Sequence, residues 1–212
     1  AALPEGWSAA QASEHVRDFF GRLEHPCRMW SPSPTQPPGA LAEFLATHDY
    51  KAMRRAVCAL RPWPELPRRP EVRVVPGRAV RAALADCTLK DPGRGTPELR
   101  RINTDALLHR FDDPQFEVLT AMHDRQAVGH ACLLQIGPVA AIYDVYVGEP
   151  FRRRGIGRAL LHDLITTCRR LELRTVVLEV GEQNRAAISL YERYGFERVG
   201  THVDFMLARP ST

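Results

Sequence analysis

Apolar and polar positions alternate with different periods in different parts of the chain. Near the start, two stretches carry apolar residues at helical spacing: "AAQASEHVRDFFGRL" (Ala9 to Leu23) and "GALAEFLATHDY" (Gly39 to Tyr50), the latter through Leu41, Phe44 and Leu45. Two proline clusters interrupt this pattern, "SPSPTQPP" (Ser31 to Pro38) and "RPWPELPRRP" (Arg61 to Pro70). Each proline removes an amide donor and fixes φ, which rules out regular structure, and the second cluster reads as a linker. From Glu71 the pattern predicts a strand "EVRVV", a helix "RAVRAALADCTL", a loop "KDPGRGTP" and a helix "ELRRINTDALLHRF". Three period-two stretches follow, "FEVLTAMHD", "AVGHACLLQIG" and "AAIYDVYV", joined by the turn signals "DRQ" and "GP", so an antiparallel meander is expected. A long helix comes next, with Ile156, Leu160, Leu164, Cys168 and Leu171 along one stripe. The chain then gives a strand "TVVLEV", a helix "NRAAISLYERYGF" and an expected terminal hairpin in "ERVGTHVDFML". Strand, helix and strand in that order imply a parallel crossover. The predicted fold is α/β (α+β), a mixed, mostly antiparallel central sheet flanked by helices.

Composition narrows the setting. At 212 residues, 44% hydrophobic and 25% charged, the chain is long enough for one sizeable core or two small ones. The formal net charge of +4 suits nucleic acid, a membrane surface or a phosphate-bearing ligand equally. Five scattered cysteines without zinc-site spacing fit a reducing cytosol, and the eight histidines show no metal-ligand spacing, so no metal is expected. No apolar run reaches the ~20 residues of a membrane helix. The opening "AALPEGWSAA" lacks the basic start and apolar middle of a signal peptide. A cytoplasmic protein with no membrane partner, monomer or homodimer, is the expectation.

The densest charge lies in "FRRRGIGRALL" (Phe151 to Leu161), where Arg152, Arg153, Arg154 and Arg158 surround Gly155 and Gly157 at a helix start. A run of arginines is ordinarily a solvated face. Here the helix dipole argues otherwise: cations at an N-terminus are disfavoured by roughly 0.3 to 1 kcal/mol each, so this cluster calls for an anion. The first four amides of a helix lack intrahelical partners, glycines let a ligand approach the backbone, and guanidinium groups grip phosphate oxygens. A pyrophosphate matches. No GxxxxGK[ST] is present, nor GxGxxG opening a helix after a parallel strand, so the usual ATP and NAD cradles are excluded. Aromatic residues are not interleaved with the arginines, which argues against nucleic acid.

"VYVGEPFRRRGIGRALL" resembles the pyrophosphate-binding motif of the GNAT superfamily of N-acetyltransferases: Arg or Gln, two residues, Gly, one residue, then Gly or Ala, filled here by Arg152, Gly155 and Gly157. "LEVGEQNRAAISLYERYGFERVG" resembles the second half of that superfamily, most closely the ribosomal-protein alanine N-acetyltransferases. The resemblance covers about Glu71 to Met206. It implies acetyl-CoA as cosubstrate, with the main chain of Val145, Tyr146 and Val147 pairing with the pantetheine arm. The amides of Arg153, Arg154, Gly155, Ile156, Gly157 and Arg158 would then hold the pyrophosphate, and Asn184 would touch the cosubstrate. Asn184 also reads as a plain N-cap for the helix starting at Arg185.

Acetyl transfer to an amine needs a base, a polarised thioester and a proton for the departing thiolate. By resemblance Tyr191 is the general acid and Glu179 the general base acting through water. Spacing alone reads Ala187, Leu190, Tyr191 and Tyr194 as a buried stripe, and Glu179, which shares a strand face with Val177, as half-exposed. Asp144, between Tyr143 and Tyr146, is the reserve base or amine anchor, or else a solvent-facing strand residue. No Gly-x-Ser-x-Gly or Cys/His signature points to a covalent acyl intermediate, so direct transfer to a primary amine, either a protein N-terminus or a small molecule, is expected. A noncatalytic acyl-CoA-binding sensor is the alternative.

Residues 1–70 are expected to form a supporting segment beside a catalytic domain spanning 71–212. Phe44 can be laid on Leu190 and Tyr50 on Phe196 with similar helix-then-hairpin patterning, as in a degenerate half-repeat, or by coincidence between two amphipathic helices. Leu45 then falls opposite Tyr191, and the segment has no arginine and glycine motif.

Overall fold

The computed structural model describes residues 6–22, 27–32, 39–61 and 63–207. Positions 33–38 of the first proline cluster, Leu23 at the end of the first expected helix, and the first five residues lie outside them. Two compact units are present: one comprises Ala1–Val57, Val180–Asn184 and Val199–Thr212, the other Cys58–Glu179 and Arg185–Arg198.

The larger unit carries the arginine and glycine turn. Its elements are β3 (Arg73–Pro76), α3 (Arg81–Leu89), α4 (Pro97–His109), β4 (Phe116–His123), β5 (Gln126–Ile136), β6 (Val139–Val147), α5 (Ile156–Arg170), most of β7 (Thr175–Gly181) and α6 (Arg185–Arg193). The strands run β7-β6-β5-β4-β3. The pairs β3–β4, β4–β5 and β5–β6 are antiparallel, as the meander predicts, and β6–β7 is parallel, as the crossover through α5 requires. One sheet face is covered by α3 and α4, where Cys132 packs with Leu84, Leu107, Phe111, Phe116 and Tyr143. The buried stripe of α5, including Ile156, Leu160, Leu164 and Cys168, faces the other side of the meander strands.

Helix ends follow local chemistry. Thr96 caps α4, its side chain accepting from the Leu99 amide at 3.3 Å, with Pro97 in the first turn. Gly195, at φ 84°, closes α6: the Phe196 amide donates to the Tyr191 carbonyl at 3.1 Å and the Gly195 amide to Glu192 at 2.9 Å, the paired bonds of a Schellman motif.

The stretch read as a linker is irregular as expected, yet it is packed. Pro70 sits against Gly155, Pro64 against Gly195, and Arg69 pairs with Asp163 at 2.6 Å, so residues 63–70 belong to the body of this unit. Proline removes donors without removing apolar surface, and that surface finds a place on α5 and α6.

The smaller unit contains α1 (Ala9–Arg22), β1 (Met29–Trp30), α2 (Gly39–Ala46), most of β2 (Tyr50–Leu60) and most of β8 (Glu197–Leu207), its strands running β1-β8-β2. Ala9, Leu41, Leu45 and Phe205 form its core, and the buried Asp204 pairs with Arg55 at 2.7 Å. The expected terminal hairpin is absent: residues 197–207 are one continuous strand, which the single Gly200 does not break. The same correction applies to residues 50–60. A glycine alone weakens a strand, whereas the tight turns after β4 and β5 each carry a positive-φ residue, Asp124 and Gly137, and Gly200 is not among the positive-φ residues.

Candidate active site

The turn between β6 and α5 is built around left-handed backbone. After Val147 the chain makes a short 3-10 turn over Glu149–Phe151, then passes Arg153 at φ 62° and Gly155 at φ 83° before α5 begins. Left-handed residues on either side of Arg154 turn neighbouring amides toward a common concavity, the geometry that holds anions. The N-cap of α5 is Gly155, which has no side chain to engage the first amides of the helix. At Gly157 a methyl group would meet only ordinary contacts, 3.5 Å from Leu190 and 3.9 Å from Val147. Packing therefore does not demand this glycine. Gly155 is required by its φ, and an added Cβ would lie 3.1 Å from Pro70.

The arginines divide in use. Arg152, Arg153 and Arg154 are exposed; Arg152 donates through Nε to the Val147 carbonyl at 3.1 Å, and Arg154 lies over the Phe151 ring at 5.6 Å. Arg158 is half-buried, its Nη2 3.4 Å from the Arg68 carbonyl, so its guanidinium is directed at residues 63–70. Tyr194, fully buried, donates to the Arg158 carbonyl at 2.9 Å and ties α6 to the first turn of α5.

Beside this turn the sheet forks. The parallel ladder runs from Val139↔Thr175 to Ile142↔Leu178, while β6 continues to Val147 and β7 continues through Glu179. The main chain of Val145, Tyr146 and Val147 thus lies past the last β7 pair, half-buried, with its other edge held by β5 through Gly129↔Val147 and His130↔Tyr146. Glu179 is exposed, the first residue beyond the ladder on its prong. Strand alternation places it, with Val177, on the face that α3 and α4 cover.

Tyr191 is buried at 7% exposure, edge-on to Phe196 with ring centroids 5.9 Å apart. Burial, with a smaller contribution from Cys58, pushes its hydroxyl up to about 12. The stripe read from spacing is therefore real: Tyr191 and Tyr194 are buried and Ala187 and Leu190 half-buried. Asn184 is exposed and belongs to the smaller unit.

Asp144 is not a solvent-facing strand residue. Its Oδ2 accepts from Arg94 and lies 3.2 Å from Nε2 of His130, which is fully buried. Burial pushes this carboxyl up, but the contacts of His130 and Arg94 outweigh it and hold the carboxyl below its usual range. Sequence reasoning treated Arg94 as part of a glycine and proline loop and His130 as a strand residue. The available signal was a polar residue inside the apolar run "AVGHACLLQIG", which a buried strand tolerates only when partnered.

Comparison with known proteins decides the family. Residues 79–196 match the Acetyltransferase (GNAT) family. The chain belongs to the GNAT acetyltransferases. Its GNAT relatives include the mycothiol acetyltransferase of Thermomonospora curvata, 29% identical over an alignment of 213 residues that covers 92% of this chain and 67% of that protein. The [ribosomal protein bS18]-alanine N-acetyltransferase of Escherichia coli K12 is 42% identical over 57 residues, 27% of this chain and 38% of that protein. The chain spans from 23% to 67% of the lengths of such relatives. In fold it is similar to a conserved protein of Staphylococcus epidermidis, with a TM-score of 0.72 at 15% identity over 98% of this chain and 83% of that one. Among the described residues no group of histidine, cysteine, aspartate and glutamate could hold a metal ion, and no helix is long and apolar enough to cross a membrane.

Proposed function

We propose that this GNAT protein transfers an acetyl group from acetyl-CoA directly to a primary amine. The observation that carries this reading is the fork: a length of β6 past its last β7 partner leads into a turn whose left-handed residues suit an anion cradle. A pantetheine arm could complete the β6 edge as an extra strand through the main chain of Val145, Tyr146 and Val147. The amides of residues 153–158 would receive the pyrophosphate, with Arg153 and Arg154 free to add charge. Arg152 and Arg158, engaged with the Val147 and Arg68 carbonyls, would instead shape the turn.

In the proposed chemistry the amine nitrogen attacks the thioester carbonyl, the C–N bond forms and the C–S bond breaks. Glu179, through water, receives the amine proton, and Tyr191 gives a proton to the departing thiolate. The hydroxyl of Tyr191 is protonated throughout the neutral range and so has a proton to give, while burial, by raising its pKa, makes it a weaker acid than an exposed tyrosine. At pH 7 an α-amine costs only about 1 kcal/mol to deprotonate and a lysine about 4 to 5 kcal/mol. A water-linked base therefore favours a weakly basic amine such as a protein N-terminus, in keeping with the alanine N-acetyltransferase among the relatives. Residues 1–70 are assigned a supporting role as a degenerate half-repeat that binds no CoA.

The experiment is a thiol-release assay with acetyl-CoA and a panel of amines: a peptide with a free N-terminal alanine, an N-blocked lysine peptide and a small diamine. Amine-dependent release, greatest for the α-amine, is expected. CoA binding with no turnover on any amine would support the noncatalytic alternative.

A further inference from the structure

The feature that the proposed chemistry leaves unused is the clamp on Asp144. This residue has φ 53°, in the left-handed region that aspartate tolerates better than most residues but still at a cost. It sits at an irregularity in the β5–β6 ladder: Cys132 pairs with Tyr143 and His130 with Tyr146, so Asp144 and Val145 together stand opposite the single residue Ala131. That is a β-bulge. By simple alternation Asp144 would follow Ile142 onto the face of α5. The bulge instead turns its carboxylate to the other face, where Arg94 reaches it from the short turn Pro92–Arg94 and His130 meets it from β5.

The two partners of Asp144 are enclosed, while its own side chain is 29% exposed. The side chain of Arg94 is 11% exposed and that of His130 0%, and Arg94 also has Asp91 3.5 Å from its Nε. Cys132 Sγ lies 4.0 Å from the same carboxylate oxygen. Charge-assisted bonds in such surroundings are strong enough to hold a strained backbone. The position is equally specific: Asp144 is two residues past Ile142, the last residue of β6 that pairs with β7. The bulge begins where the strands part.

We infer that Asp144 is a positioning residue, a latch through which Arg94 and His130 hold the β6 bulge and so keep the strand edge from Val145 to Val147 aligned for the pantetheine arm. The carboxylate acts through the backbone it fixes. It is neither the base nor a direct ligand of the cosubstrate, and the turn between α3 and α4 is thereby linked to the donor site. This inference rests on the proposed acetyl-CoA site.

Calorimetric titration of the full chain with two probes separates the two ideas. One probe is CoA. The other is 3′-phosphoadenosine 5′-diphosphate, which keeps the 3′-phosphate and the pyrophosphate and lacks the pantetheine arm. Asp144→Ala, which removes the carboxylate and disfavours the left-handed backbone, should weaken CoA by about tenfold and leave the nucleotide unchanged; retained nucleotide binding also reports a folded protein. Asp144→Gly, which removes the carboxylate but accepts positive φ, should bind CoA more tightly than Asp144→Ala and keep the wild-type pH profile of turnover. Wild-type CoA affinity in Asp144→Ala, or a glycine variant no better than the alanine one, would overturn the latch. Failure of the wild-type chain to bind either probe would instead overturn the acetyl-CoA site beneath it.

Discussion

Two polar regions of the larger unit differ in how they are made. The turn from Arg152 to Arg158 is contiguous in sequence, exposed at three of its arginines, and shaped by left-handed residues that are neighbours in the chain. The cluster around Asp144 joins residues 50 positions apart, Arg94 and Asp144, with the buried His130 of β5. The first presents donors outward, as the proposed anion site requires. The second spends its donors internally and fixes a strand. Exposed groups are available to bind; enclosed groups that pair with one another position what binds elsewhere.

The largest effect that sharpens this contrast is expected from Tyr191→Phe, which keeps the buried ring against Phe196 and removes only the hydroxyl. Loss of general acid catalysis should lower kcat by ~10² to 10⁴-fold with acetyl-CoA binding nearly intact, and more acidic thiol leaving groups should recover part of the rate. Full activity in steady-state assays would leave Tyr191 as a core residue. Glu179→Gln should cost less and in a different manner. Its defect should be largest at neutral pH and shrink as pH rises, because a growing share of the amine is already neutral without a base. A defect independent of pH would make Glu179 an orienting group.

Smaller effects are expected at the turn. Replacing Arg153 and Arg154 together by alanine should weaken CoA by about tenfold, since both guanidinium groups are exposed and screened, while kcat at saturating donor stays near wild type. Smallest is the response to salt. Raising ionic strength should reduce CoA affinity in the wild-type chain and do so less in the double variant, as isothermal titration at two salt concentrations would show.

The contrast also explains what the sequence revealed. The order of elements from β3 to α6 and the anion turn follow from local rules: period, caps, the dipole and glycine spacing. The terminal hairpin expected in 197–207, and the matching pattern laid over 50–60, failed because both stretches are continuous strands with no positive-φ residue at which to turn. Packing of Pro64 and Pro70 on glycines of the larger unit, and the meeting of Arg94 with Asp144, depend on tertiary contacts that no window of sequence contains. Tyr191 shows both sides. Spacing found its buried stripe, and resemblance supplied the role now assigned to it.

The central claim, that acetyl-CoA binds where β6 leaves β7 and enters the anion turn, is tested most directly by calorimetry on Gly157→Glu. A methyl at this position has room, so the fold should survive while bulk and negative charge enter the pyrophosphate position. The wild-type chain is expected to bind one equivalent of acetyl-CoA and the variant none that can be measured. Undiminished binding by Gly157→Glu would contradict the account.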